Sequence, residues 1–328
     1  MSGLQTIITW SVFIFLPLIL PGCIASVGDD SPFYRNCVSI CVTANCTNDY
    51  NSRNSKETSF PGNIIAWPCL EECRYHCMWV TVDAFLRRGW DVPQFHGRWP
   101  FVRFLGLQEP ASVLFSLLNF SSHMIMLQLF RKEVPRTAPM YWVWHFHSLV
   151  CMHAWFWSSV FHGWETPLTE KMDYFCAYSM VLCSLYVMGL RFFSATINFK
   201  TLSLTVLCGG LFVYHVTYLS LVKFDYSYNM QANIIVGALN ALGWLLWCAW
   251  PQSCTSAKSR KLCIISVLLA IASTALEILD FPPVFWSIDA HALWHLSTAF
   301  LPLLWYRFLI MDCNSMCVAH MEKQKKIF

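Results

Sequence analysis

The sequence predicts an all-α membrane protein, namely a seven-transmembrane helix bundle with a small N-terminal disulfide-rich lumenal domain. Hydrophobic residues make up 56% of the 328 residues and charged residues only 12%, whereas about 25% charged residues is usual in soluble domains. Several long apolar runs are each sufficient to cross a hydrocarbon core about 30 Å thick. Six closely spaced cysteines, between residues 37 and 77, precede the first of these runs. This composition excludes a soluble enzyme, and the net charge of +3, spread over the loops, argues against a nucleic-acid partner.

The first element, residues 1–25, is predicted to be a signal peptide. An apolar stretch from Ile7 to Leu20 is followed by small residues around Ala25, which is the order typical of secretory signals. The alternative is an uncleaved anchor helix, because the start of the chain lacks the usual positive residues. A secretory signal would place the segment that follows it in the lumen.

The second element is the cysteine cluster, an even and closely spaced set that predicts disulfide bonds in an oxidising compartment. Its members are Cys37, Cys41, Cys46, Cys69, Cys73 and Cys77. The spacing leaves their pairing open. A metal cluster is the alternative, but the spacings differ from the Cys-x-x-Cys pairs typical of zinc sites. Asn45 opens the sequon Asn-Cys-Thr and is the predicted glycosylation site if the segment is lumenal.

Seven apolar runs then predict the transmembrane domain, with ends uncertain by a few residues. They cover approximately residues 111–130, 141–162, 174–190, 202–222, 232–250, 262–279 and 290–310. The whole chain is thus predicted to divide into a signal peptide (1–25), a lumenal cysteine-rich domain with a membrane-proximal bridge (26–110), a seven-transmembrane domain (111–310) and a cytosolic tail (311–328).

The distribution of Lys and Arg predicts the orientation, because short cytosolic loops carry an excess of these residues. The loops after spans one, three and five are rich in them, whereas the loops after spans two, four and six hold only Lys171 and Lys223. The N terminus is therefore predicted to be lumenal and the C terminus cytosolic. In the tail, Lys325 and Lys326 resemble the dilysine signal by which coat proteins retrieve membrane proteins to the endoplasmic reticulum. The alternative is a basic flank that anchors the last span.

Five polar residues fall at predicted lumenal ends of three spans. Ser158 and His162 end span two, Asp173 opens span three, and His291 and His295 open span seven. Ionisable groups at membrane depth usually face the bundle interior, and residues four apart share a helix face. The three imidazoles are therefore predicted to meet. Three nitrogen ligands with an open fourth position are typical of catalytic zinc, which lowers the pKa of water in that position to about 7.

The two remaining polar residues have candidate roles beside such a metal. Asp173 could hold the water, act as general base or orient an imidazole, and Ser158 could donate a hydrogen bond to the developing oxyanion or to the water. The simpler alternative is that the histidines only hydrogen-bond between helices. His147 shares a stripe with His162, but it lies about 22 Å away at about 1.5 Å per residue, so it is predicted to lie outside the site.

These motifs resemble those of the CREST superfamily of membrane hydrolases, which includes alkaline ceramidases and adiponectin receptors. The shared pattern is Ser158-x3-His162, then Asp173, then His291-x3-His295 on the last helix. The cysteine-rich segments 68–77 and 95–101 look like the branch named for post-GPI attachment to proteins factor three. The likeness runs from about residue 30 to the end of the chain.

The resemblance implies a GPI-specific phospholipase that removes the unsaturated sn-2 acyl chain from GPI-anchored proteins. It implies that the five residues of the shared pattern are the site, that Zn²⁺ is bound by the three histidines, and that the chain resides in the Golgi membrane with recycling through the endoplasmic reticulum. Membrane lipids and the lipid anchor would be its partners. One alternative is a ceramidase-like amidase, which the long cysteine-rich ectodomain disfavours. Another is a non-catalytic seven-helix receptor or transporter, although no internal repeat of the kind common in transporters is found.

Overall fold

The computed structural model describes residues 27–46, 65–193, 198–250 and 256–325. The predicted signal peptide and Lys326 lie outside these residues, and Lys325 is described only by its backbone. The chain divides into two compact units. One contains the described residues up to 46 and those from 66 to 100, and the other contains residue 65 and the described residues from 101 onward.

The first unit is built on three helices, α1 (Val27–Asp30), α2 (Pro32–Asn45) and α3 (Cys69–Arg87). Three disulfide bonds join α2 and the residue that follows it to α3, and their order shows that these two helices run antiparallel. The pairs are Cys37–Cys77, Cys41–Cys73 and Cys46–Cys69. The predicted disulfide framework is confirmed. Three of the sulfurs lie close together, but the six sulfurs are bonded in three pairs. The alternative of a metal cluster at these cysteines is therefore wrong.

The second unit is a bundle of long helices. They are α4 (Pro110–Glu133), α5 (Tyr141–Gly163), α6 (Pro167–Phe192), α7 (Phe199–Thr217), α8 (Tyr226–Ala249), α9 (Ala257–Ile278), α10 (Ala290–Thr298) and α11 (Leu301–Lys325). The all-α membrane fold is confirmed, and the protein is a multi-pass membrane protein. Among the described residues, six segments are long and apolar enough to span a membrane, and α5 is not one of them despite its 23 residues. Its four histidines lower its hydropathy, so the predicted count of seven spans is approximate.

Helix α6 begins earlier than the apolar pattern predicts. Thr166 and Thr169 form a capping box at its start, and Pro167 occupies the first turn, where its missing N–H costs nothing. Asp173 therefore lies in the second turn of α6 and does not open the helix. The prediction placed the start at residue 174 because polar residues in the first two turns concealed the cap.

The last predicted span is interrupted between α10 and α11. Residues 299 and 300 form a turn, and Pro302 follows, whose ring excludes the carbonyl of Thr298 from a regular helix. The short helix α10 carries His291 and His295.

The largest buried side chains of the bundle lie far from α10. Trp144, Trp244, Tyr306 and Phe308 are at most 2% exposed and belong to one apolar cluster. Because Trp144 precedes His162 by 18 residues on α5, this cluster lies about 27 Å along the helix from that histidine. The bundle thus has an apolar half and a more polar end.

Candidate metal centre

The three predicted histidines meet at the polar end of the bundle. His162 lies in the last turn of α5, and His291 and His295 lie one turn apart on α10. The Nε2 atom of His291 is 2.9 Å from Nε2 of His295 and 3.4 Å from Nε2 of His162. His162 and His295 are buried, at 4% and 1% exposure. Together the three residues form a group that can hold a metal ion.

Local capping interactions hold the two helix ends that carry the imidazoles. Asp289 caps α10 by accepting a hydrogen bond of 2.8 Å from the Ala292 N–H. Burial raises the pKa of Asp289, while the Ala292 N–H opposes this effect. At the end of α5, the Glu109 N–H donates to the carbonyl of His162 at 2.9 Å. These contacts occupy backbone groups that have no partner within their own helices.

The outer nitrogen of each imidazole has an oxygen partner. The Nδ1 atom of His162 lies 2.5 Å from Oε2 of Glu109, and that of His291 lies 2.7 Å from Oε2 of Glu277. The Nδ1 atom of His295 is 3.1 Å from Oγ of Ser116. An ionised carboxylate only accepts hydrogen bonds, so His162 and His291 carry their proton on Nδ1. Their Nε2 lone pairs therefore face the centre of the cluster.

This arrangement fits a bound zinc ion. Lone pairs on nitrogens 2.9–3.4 Å apart repel one another unless a cation or a proton lies between them. A tetrahedral zinc ion with Zn–N bonds of about 2.0–2.1 Å places its ligand nitrogens about 3.4 Å apart. The three Nε2 atoms can therefore serve as ligands with little rearrangement, and the oxygen partners on Nδ1 match the usual surroundings of metal-binding histidines.

Ser158 is connected to the same cluster through a serine on another helix. Its Oγ is 3.2 Å from Oγ of Ser116, which in turn contacts His295. All of these groups are buried, with Ser158 6% exposed and Ser116 fully buried. Asn119 also donates from Nδ2 to the carbonyl of His295 at 2.7 Å. Helix α4 thus supports α10 at two points, one turn apart.

Asp173 and His147 are not among the described partners of the three imidazoles. Within the part of the chain that the structure describes, the Nδ1 atoms of the cluster contact Glu109, Glu277 and Ser116, and the Nε2 atoms face one another. The role of orienting an imidazole, one of three considered for Asp173, is thus filled by other residues; Asp173 lies half-buried on α6. His147 hydrogen-bonds instead to Ser184 at 3.0 Å, which confirms that it is outside the cluster.

Sequence reasoning missed four residues of this site, although two signals pointed to them. Ser116 and Asn119 share one face of α4, three residues apart, and Glu109 caps the same helix seven residues before Ser116, an interval that keeps to the same helical stripe. Glu277 is an acidic residue inside an apolar helix, and such a residue at membrane depth usually has a specific partner. Both patterns concern polar groups within apolar runs.

Comparison with known proteins assigns the chain to a family. Residues 59–313 match the model of the Per1-like family. The chain belongs to the Per1-like family. It is 45% identical over 91% of its length to a GPI-specific phospholipase A2-like PGAP3 of Xenopus laevis, of which it covers 94%. It is also 45% identical over 88% of its length to the human protein of that name, of which it covers 89%.

Another relative in this family is the post-GPI attachment to proteins factor 3 of Drosophila melanogaster. It is 40% identical over 90% of the chain, which covers 92% of that relative. No solved structure matches the chain. Because the similarity spans nearly the full length of each protein, it includes the cysteine-rich unit as well as the helix bundle.

Proposed function

We propose that this chain is a zinc-dependent lipid ester hydrolase that remodels GPI anchors. It removes the unsaturated acyl chain at the sn-2 position of the anchors of GPI-anchored proteins and leaves a lyso-GPI product. The names of its relatives support the substrate class. The observation that carries the proposal is the convergence of three Nε2 atoms whose Nδ1 atoms are each held by an oxygen.

His162, His291 and His295 are the proposed zinc ligands, and Ser158 and Asp173 are proposed to act beside them. A bound zinc ion supplies Lewis-acid chemistry and lowers the pKa of a water ligand to about 7. The Ser158 hydroxyl donates to the charge that develops on the ester carbonyl oxygen. Asp173 acts as general base that removes the proton of the attacking water. Burial of His162 and His295 limits the access of bulk water to that side of the cluster, which strengthens these electrostatic effects.

The site is proposed to open to the lumenal side of the Golgi membrane, the leaflet in which GPI anchors reside. The scarcity of Lys and Arg in the loops at this end of the bundle supports this orientation. Asn45 is exposed and next to a disulfide-bonded cysteine, as suits a lumenal glycosylation site. Replacing Asn45 by Gln is expected to abolish a mobility shift on glycosidase treatment. A shift that persists would contradict this assignment.

The test of the activity uses cells that lack endogenous GPI acyl remodelling. These cells express the wild type or His162→Ala, His291→Ala or His295→Ala, and mass spectrometry measures the acyl chains of their surface GPI anchors. Wild type is expected to restore saturated chains, and each variant is expected to leave the unsaturated chain in place, because loss of one of three ligands disables the metal centre.

The matched control is His153→Ala, which removes an exposed imidazole from the same helix as His162. It is expected to remodel anchors as the wild type does. Wild-type remodelling by all three ligand variants would reduce the cluster to a packing feature and would refute the proposal. Release of fatty acid from ceramide in place of GPI anchors would instead favour the amidase alternative.

A further inference from the structure

Two buried carboxylates lie directly behind the metal centre. The side chains of Glu109 and Glu277 are 7% and 14% exposed, and each contacts the Nδ1 atom of one proposed ligand at 2.5 and 2.7 Å. An ionised carboxylate in such surroundings is costly unless hydrogen bonds and opposite charge compensate it. The imidazole N–H of the facing histidine supplies such a hydrogen bond to each carboxylate.

Glu109 holds His162 at two points. Its backbone N–H donates to the carbonyl of His162 at 2.9 Å, and its carboxylate accepts from Nδ1 of the same residue. Glu109 directly precedes Pro110, the first residue of α4. The start of α4 and the end of α5 are therefore joined through this one glutamate, which sets the position of the imidazole ring.

Glu277 holds His291 in a comparable way from a different helix. It lies in the last turn of α9, and the chain returns to His291 after 14 residues. His295, the third proposed ligand, has the neutral hydroxyl of Ser116 as its partner. Each imidazole is thus oriented by another element of the bundle, but only two of the three partners carry charge.

The geometry behind two of the three rings is the same. A carboxylate accepts the Nδ1 proton, and the Nε2 lone pair is left facing the centre of the cluster. We propose that Glu109 and Glu277 are positioning residues of the metal centre. They fix the Nδ1–H form of two ligands and raise the basicity of the Nε2 atoms that would bind the metal, an inference that rests on the metal binding in the proposed function.

The expected effect is a loss of metal affinity that depends on the substitution. Glu109→Gln and Glu277→Gln keep an amide oxygen that can accept the Nδ1 proton but remove the negative charge. Each is expected to weaken zinc binding by about 10–100-fold, as is usual when an outer partner of a ligand is changed. Glu109→Ala and Glu277→Ala remove the hydrogen bond as well and are expected to weaken binding further.

The experiment measures zinc affinity of purified full-length protein by competition with a chelator, together with acyl remodelling at several zinc concentrations. The control is Glu165→Gln, which changes an acid at the same end of the bundle that hydrogen-bonds to Gln108. The control is expected to bind zinc as the wild type does. The Glu109 and Glu277 variants are expected to recover remodelling when zinc is raised, because their defect lies in metal retention.

Each outcome decides the inference. Wild-type zinc affinity in both Gln variants would overturn it. Gln variants that fold only when zinc is added during purification would support it, whereas variants that fail to fold even with zinc would overturn it, since the carboxylates would then serve the fold. A wild type that binds no zinc would refute the metal centre itself, which separates that failure from the failure of the positioning role.

Discussion

A buried ion pair far from the metal centre predicts a large change in stability. Arg191 near the end of α6 makes two contacts of 2.7 Å with the two carboxylate oxygens of Asp312 on α11. The two side chains are 14% and 4% exposed. The Arg191 guanidinium also lies 4.8 Å from the centre of the Trp247 ring. This pair joins two helices of the bundle at the end opposite to the histidines.

Removing one member of this pair leaves the other charge buried. Such a change costs about 3–5 kcal/mol in the free energy of unfolding. Asp312→Leu is expected to cost about 3 kcal/mol, because Arg191 keeps its cation–π contact with Trp247, which contributes about 0.5–2 kcal/mol. Arg191→Met is expected to cost about 5 kcal/mol, because it removes both hydrogen bonds to the Asp312 carboxylate and leaves that charge buried. The double variant Arg191→Met with Asp312→Leu is expected within about 1 kcal/mol of the wild type.

The assay is a double-mutant cycle on purified protein in detergent, with unfolding by denaturant followed by tryptophan fluorescence. The control is Asp83→Asn, which breaks the exposed pair with Arg87 on α3 and is expected to leave the midpoint unchanged. Zinc affinity is measured alongside and is expected to stay at the wild-type level. A coupling energy below about 1 kcal/mol would refute the view that Arg191 and Asp312 stabilise the bundle as a buried pair.

Three further outcomes follow from the geometry. Ser116→Ala leaves the Nδ1 atom of His295 buried without its hydroxyl partner, at a cost of about 1–3 kcal/mol. The rate of acyl remodelling is expected to fall at least tenfold. A wild-type rate would contradict the contact. Cys41→Ser frees Cys73 and is expected to destabilise the protein by about 2–5 kcal/mol, measured by thermal unfolding and checked against a Cys208→Ser variant that breaks no disulfide bond. Treatment with a chelator is expected to lower the unfolding temperature of the wild type, and added zinc is expected to restore it; no shift would argue against a structural contribution of the metal.

Much of the fold could be predicted from local patterns. Apolar runs predict where helices cross the membrane because hydrocarbon admits only backbone that is hydrogen-bonded within the segment. The first and last residues of the helices were harder to predict, as the early start of α6 shows. The cap formed by Thr166 depends on hydrogen bonds that polarity alone does not indicate. The break before α11 needed attention to Pro302, a single residue within an otherwise apolar run.

The candidate site was likewise predictable only where its residues lie on one helix. His291 and His295 share a helix face by spacing alone, so the sequence by itself determined that two imidazoles point the same way. The sequence also determined the class of membrane protein and the disulfide-bonded state of the six clustered cysteines. Only the tertiary structure decided that His162 completes the group and that Glu109 and Glu277 stand behind two of the rings. These partners come from different helices, and their meeting depends on how whole helices pack, which no periodicity within one helix can specify.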